Sequence, residues 1–167
     1  MKTIIIYTSS DSCTGKAVYE LSQKLSGEVE TIDLRFHNSP PLDEFDRIII
    51  GGSIHSEKIQ KRINYFCMTH MHVLRNKEIG LFICCSHEPE IAQESINNAF
   101  PEELHQMAKT EAIFRGKLNL DEMNFIKRIL VKKIARVREI ESKPDEDIIE
   151  RFACRMEKTY HPFLFLV

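Results

Sequence analysis

Hydrophobic positions along the chain follow two alternating rhythms. Residues 3–7 (Thr-Ile-Ile-Ile-Tyr), 46–52 and 78–85 are short, nearly continuous apolar runs, the pattern of strands buried on both faces. Between them apolar residues recur at three- and four-residue steps. Val18, Leu21 and Leu25 predict a helix over residues 14–26, ended by Gly27 as C-cap. Ile59, Ile63, Phe66 and Met71 predict a second helix over 58–74, and residues 90–100 a shorter one. Residues 28–34 alternate apolar and polar, as an outer strand does, and Pro40-Pro41 marks a loop. Gly51-Gly52 predicts a turn closing the second buried strand. Residues 105–115 contain a further strand, clearest at Ala112-Ile113-Phe114, and two more helices, 121–138 and 145–160, are separated by Pro144.

The order β-α-β-β-α-β-α-β-α-α specifies an α/β fold, a parallel sheet wrapped by helices. The second strand is the weakest, which suits a sheet edge. The three buried strands each end in a polar or Gly-rich loop. In an open α/β sheet such loops gather at the topological switch point. A ligand pocket is therefore expected from residues 8–14, 52–57 and 85–89.

At 167 residues the chain predicts a single domain, 1–167, with a sizeable core. A composition 43% hydrophobic and 29% charged fits a globular protein, and a net charge of −2 gives no global electrostatic address. No apolar run approaches the ~18 residues of a membrane-spanning helix. No signal-peptide pattern precedes the first strand. Five unevenly spaced cysteines then read as reduced thiols rather than a disulfide framework, and the expected location is cytoplasmic.

Candidate chemistry concentrates in Thr8-Ser9-Ser10-Asp11-Ser12-Cys13-Thr14, between the first strand and the first helix. Backbone N–H groups at a helix N-terminus face an anion there, the helix dipole favours negative charge, and hydroxyls add donors. A phosphorylated ligand fits this turn. Asp11 or Ser12 also reads as an ordinary N-cap, although one cap needs fewer polar residues. Thr14-Gly15-Lys16 is not a Walker A loop, because the upstream glycine and the Gly-Lys-Ser/Thr order are missing.

The strand and hydroxyl loop at 3–14, Gly51-Gly52-Ser53, and Gly80-Leu81-Phe82-Ile83-Cys84-Cys85 together resemble a flavodoxin. The resemblance narrows to the flavodoxin-like branch of menaquinone-dependent protoporphyrinogen oxidases. It narrows through the opening Met1–Ser9 with Asp11 and Thr14, through Gly51-Gly52-Ser53-Ile54 before a basic helix start, and through Phe114-Arg115-Gly116-Lys117-Leu118 before a long basic segment. It implies a doubly wound five-stranded parallel sheet of order 2-1-3-4-5, with a basic amphipathic insertion at about 118–143, and non-covalent FMN. Ser9, Ser10, Ser12, Cys13 and Thr14, with Thr8 and Asp11 in the same loop, would surround the phosphate. Ser53, Ile54 and His55 would lie against the isoalloxazine, and Cys85, Ser86 and His87 would form the third loop. The implied function is FMN-dependent electron transfer, with a reduced tetrapyrrole as substrate and a quinone as acceptor. A soluble carrier serving a redox partner is the alternative. A module that has lost FMN is a third reading, because Ser12 stands where such loops carry glycine and the chain has no Trp.

Residues 123–138 hold six Lys or Arg and no acid around an apolar stripe of Met123, Ile126, Ile129, Leu130, Ile134 and Val137. That is the pattern of a helix lying on an anionic membrane, here the inner face. A stripe packed on the domain's own core with a solvated basic face fits the same residues. Nucleic acid is not an expected partner, since exposed aromatics are not interleaved with the charges. Cys67, His70 and His72 look like metal ligands, but on a helix the two histidines point about 200° apart, so no metal is expected. Cys84 and Cys85 should face opposite sides of a strand, and His87-Glu88 offers at most a proton relay.

Overall fold

In a computed structural model of the chain the residues described are 1–9, 12–37, 41–55, 58–59, 61–85, 88–115 and 146–158. The elements run β1 (Lys2–Thr8), α1 (Ser12–Lys24), β2 (Glu28–Asp33), β3 (Arg47–His55), β4 (Lys58–Ile59), α2 (Lys61–Leu74), β5 (Glu78–Cys84), α3 (Pro89–Ala99), α4 (Glu102–Met107), β6 (Ala108–Phe114) and α5 (Glu146–Glu157). The strands pair in parallel in the order β2-β1-β3-β5-β6, and the two-residue β4 folds back antiparallel on β3. Setting β4 aside, this is the flavodoxin-like order expected from the sequence.

Alternation along each strand divides the core. Ile4, Ile6, Ile48, Ile50, Ile79, Leu81 and Ile83 face one side, where α2, α3 and α4 cover them. Ile5, Ile49, Phe82 and Cys84 face the other, under α1 and α5. Both faces are dry, which is why the inner strands read as unbroken apolar runs. β2 keeps only Asp33 buried, as an edge strand does. Gly27 lies just past α1 at φ +84°, the left-handed conformation that suits glycine.

Two boundaries differ from the sequence reading. The predicted turn at Gly51-Gly52 is strand: β3 runs on to His55, so residues 52–55 of the predicted loop are the arm of a hairpin, with Ile54 opposite Ile59. The predicted helix over 58–74 begins only at Lys61. Ile59 is spent on that hairpin and packs with Ile54 and Ile63 in the core. The glycines serve close approach, not turning. A Cβ on Gly51 would sit 2.4 Å from the Phe82 ring, and one on Gly80 would sit 2.8 Å from Met156 Sδ and 2.9 Å from Phe152. Phe82 stacks on Phe114, which meets Phe152 of α5 edge to face.

At the amino-terminal edge of the sheet Arg47 is 1% exposed. Its guanidinium donates to Glu157 at 2.8 Å, to Glu78 at 3.4 Å and to the Met156 carbonyl at 2.8 Å. Lys109 donates to the same Met156 carbonyl at 2.9 Å and to Glu78 at 3.1 Å. Cations thus cap the last turn of α5, where carbonyls have no helical partner. Ser26, beyond α1, donates to Glu157 through its amide and its hydroxyl.

Substituting Gly51→Ala should cost about 1–3 kcal/mol in a urea denaturation series, because the added methyl must displace a ring that already fills the space. Phe82→Leu in that background should recover part of the loss. Partial burial pushes the Glu157 carboxyl up, but the Ser26 bonds and the bond and charge of Arg47 outweigh it, so it titrates below the ordinary carboxylate range. A lowered folded-state value means stability present above the ordinary carboxylate pKa and lost as pH falls through the folded value. Thermal midpoints should therefore fall with acidification below about pH 4, and Glu157→Gln should flatten that slope.

Candidate functional site

The carboxyl ends of β1, β3 and β5 sit side by side. Register sets Thr8 opposite Gly52 and Ser53 opposite Cys84. From β1 the chain turns through α1 to β2 on one side, and from β3 it turns through α2 to β5 on the other. The order therefore reverses between β1 and β3, and the crevice of a doubly wound sheet falls there. The N-terminus of α1 opens into it, four residues after β1 ends.

Thr8 and Thr14 are fully buried and Ser9 nearly so. Thr8 Oγ1 has no hydrogen-bond partner among the described residues. Gly52 lies against it, and a Cβ there would meet Thr8 Oγ1 at 3.0 Å and the Thr8 carbonyl at 3.1 Å. Glycine at 52 is what lets β3 pass this close. Neither α1 nor α2 has an acid in its first turn, and α2 opens with Lys61-Arg62. Two helix starts with no acid in the first turn, and two cations, favour an anion at this edge of the sheet. An orphaned hydroxyl, buried hydroxyl neighbours and amides at a helix start are a donor set suited to phosphate.

The other expected residues are placed as follows. Cys13 is half-buried on α1. Ser53 is buried, and Ile54 is a core residue of the β3–β4 hairpin. Cys85 is buried just past β5, where its amide donates to the Phe114 carbonyl at 3.2 Å. Ser12 begins α1 and His55 ends β3. Ser10, Asp11, Ser86 and His87 lie outside the described residues, as does the basic segment 121–138. The ends of β1 and β5, at Thr8 and Cys84, lie beside Gly52 and Ser53 of β3, which runs on past them to His55.

Sequence reasoning missed the flank of the crevice. At the end of β2 the Asp33 carboxylate takes a forked pair of bonds from Arg35 at 2.6 and 2.9 Å, and Arg62 of α2 donates to the Leu34 carbonyl at 2.7 Å. Burial, then the Asp33 charge, pushes the Tyr7 phenol above its usual range, with Arg35 opposing. The Asp-x-Arg spacing is the only signal the sequence held for this fork.

The candidate metal cluster is not assembled. No group of three or more His, Cys, Asp or Glu able to hold an ion occurs among the described residues. Cys67 is buried in the core, which pushes its thiol up to about 12, and His70 stacks on Phe66. Cys84 and Cys85 do face opposite sides of the sheet, one in each half of the core. No helix among the described residues is long and apolar enough to cross a membrane.

An α/β sheet of this order, with a hydroxyl-lined helix start at its switch point, defines the flavodoxin-like class. A family model described as flavodoxin domain matches residues 4–145, and the chain belongs to that family. Among solved structures it is similar to a flavodoxin from the domain Archaea, at 14% identity over 95% of this chain and 100% of that one, with a TM-score of 0.51. It is also similar to rubredoxin oxygen:oxidoreductase of Desulfovibrio gigas, at 14% identity and a TM-score of 0.47, covering 94% of this chain and 37% of that one. A WrbA-like flavodoxin from Agrobacterium tumefaciens matches at 14% identity and a TM-score of 0.48, over 82% of this chain and 97% of the other. The chain thus spans little more than a third of the Desulfovibrio protein. A search of curated proteins gave no match.

Proposed function

We propose that the chain binds one FMN and acts through it as an electron-transfer protein. The observation that carries this reading is the β1–α1 turn, where Thr8, Ser9 and Thr14 are buried at the start of a 13-residue helix with no acid in its first turn. In this reading residues Thr8 to Thr14 hold the phosphate through hydroxyls and backbone amides. Ser53, Ile54 and His55 on one side, and Cys85, Ser86 and His87 on the other, frame the isoalloxazine. FMN, when bound, supplies one- and two-electron transfer. The chain supplies the anchor, the ring's orientation and the local field. The charge-neutral hydroxyls hold the phosphate without adding fixed positive charge.

The resemblance of residues 1–9, 51–54 and 114–118 to menaquinone-dependent protoporphyrinogen oxidases supports a narrower form. There a reduced tetrapyrrole is the substrate, and a quinone accepts electrons at the cytoplasmic face of the membrane. The charge pattern of 123–138 supports it too, since each cation near an anionic surface contributes about 1 kcal/mol. Membership of the flavodoxin domain family equally supports a carrier that serves a protein redox partner and has no substrate of its own.

Titration with FMN, followed by flavin absorbance, should saturate at one per chain. Ser9→Ala with Thr14→Ala should weaken binding by about 3 kcal/mol, at 1.5 kcal/mol or more per hydrogen bond to a charged group, while the far-ultraviolet dichroism stays unchanged. A chain that stays colourless in excess FMN contradicts the reading.

A further inference from the structure

Between α2 and α3, on the helical side away from α1 and α5, lies a groove of about 540 Å³. Each helix lines it with residues at i, i+3, i+4 and i+7, starting from Lys61 and from Ile91, and Ile59 of β4 completes the lining. Because Ile59 pairs with Ile54, the groove opens beside the same end of β3 as the crevice. It is nevertheless a different place, over the α2–α3 seam rather than at the α1 N-terminus.

Two features separate it from an ordinary seam between neighbouring helices. Its apolar residues are uncovered: Tyr65, Met68 and Ile91 are 73%, 69% and 41% exposed. Exposed apolar side chains scattered singly need no explanation, but three around one concavity do. The second feature is Ser95, another lining residue, which is 2% exposed and whose Oγ has no hydrogen-bond partner among the described residues. A buried hydroxyl without a partner is costly, and a ligand atom can supply what the chain does not.

Size and charge narrow the occupant. Seven residues of helix rise about 10.5 Å, the length of two or three fused rings rather than of a docked protein helix. The volume lies within the range of small-molecule sites. Lys61 and Glu94 balance each other at the rim, so no net charge selects an ion. We propose that the α2–α3 groove is a binding site for an uncharged, flat ligand of two or three fused rings. The rings lie against Tyr65, Met68 and Ile91, and Ser95, whose Oγ is closed off from solvent in this structure, turns about its Cα–Cβ bond to donate to a ring carbonyl. The site does not depend on the cofactor reading: Lys61 alone is shared with the cations beside the crevice, and no residue assigned to hold FMN lines the groove.

Coumarin, neutral, bicyclic and carrying one ring carbonyl, is a suitable probe. Titrated into the isotope-labelled full chain, it should shift amide signals of residues 61–68 and 91–98. Ser95→Ala should bind it about fivefold more weakly, the equivalent of one hydrogen bond, with a thermal midpoint equal to or above that of the parent chain. Met68→Glu, at an exposed position that the fold does not use, should abolish the shifts while leaving the rest of the spectrum in place. Absence of shifts at millimolar coumarin overturns the proposal. So do shifts centred on other elements, or unchanged affinity in both variants.

Discussion

A guanidinium buried at the first residue of the central strand constrains the far end of the chain. Arg47 cannot remain out of water unpaired, because an uncompensated buried charge costs several kcal/mol. Its partners are Glu78 on the next strand and Glu157 with the Met156 carbonyl at the end of α5. The chain must therefore bring residues 146–157 back to the amino-terminal edge of the sheet. Once there, α5 lays Phe152 and Met156 against Gly80 and closes the second half of the core. Three glycines make the closeness possible: Gly51 under Phe82, Gly52 beside Thr8, and Gly80 under α5.

The opposite edge of the same sheet is where parallel strands deliver their loops. Clamping at one end leaves the carboxyl ends of β1, β3 and β5 to present buried hydroxyls beside core residues such as Ile54 and Cys85. Register there is set by the long β1–β3 and β3–β5 ladders, so Thr8, Gly52, Ser53 and Cys84 hold fixed relative positions. The polar groups at that edge are amides of helix starts and buried hydroxyls, with Lys61 and Arg62 alongside. Such a site is preorganised toward an anion, since the dipoles need no rearrangement when it arrives.

Most of this was legible in the sequence because both faces of the sheet are covered. Continuous runs such as Ile4-Ile5-Ile6 and Ile48-Ile49-Ile50 have one reading, and the helical spacing between them gives the order of elements. Failures came where local residues serve a distant contact. Gly51-Gly52 reads as a turn by propensity, yet the glycines remain in the strand because Phe82 and Thr8 occupy the space a side chain needs. Ile59 fits the helical period of Ile63 and Phe66 but pairs with Ile54 across a hairpin. The Arg47 clamp had no signal and the Asp33–Arg35 fork only its spacing, because charges at strand ends are normally solvent-facing and only tertiary contacts bury Arg47 and Asp33. For the candidate site, the adjacency of the carboxyl ends of β1, β3 and β5 followed from the strand order, whereas the burial of Ile54 and Cys85 followed from packing that a single sequence does not reveal.

A phosphate site at the β1–α1 turn would separate two flavins in binding. FMN and riboflavin differ only in the phosphate. Calorimetric titration should give FMN binding at one per chain, with riboflavin weaker by about a hundredfold or more, the loss of two or more hydrogen bonds to a charged group. Equal affinity for the two flavins, or riboflavin bound more tightly, would contradict the account.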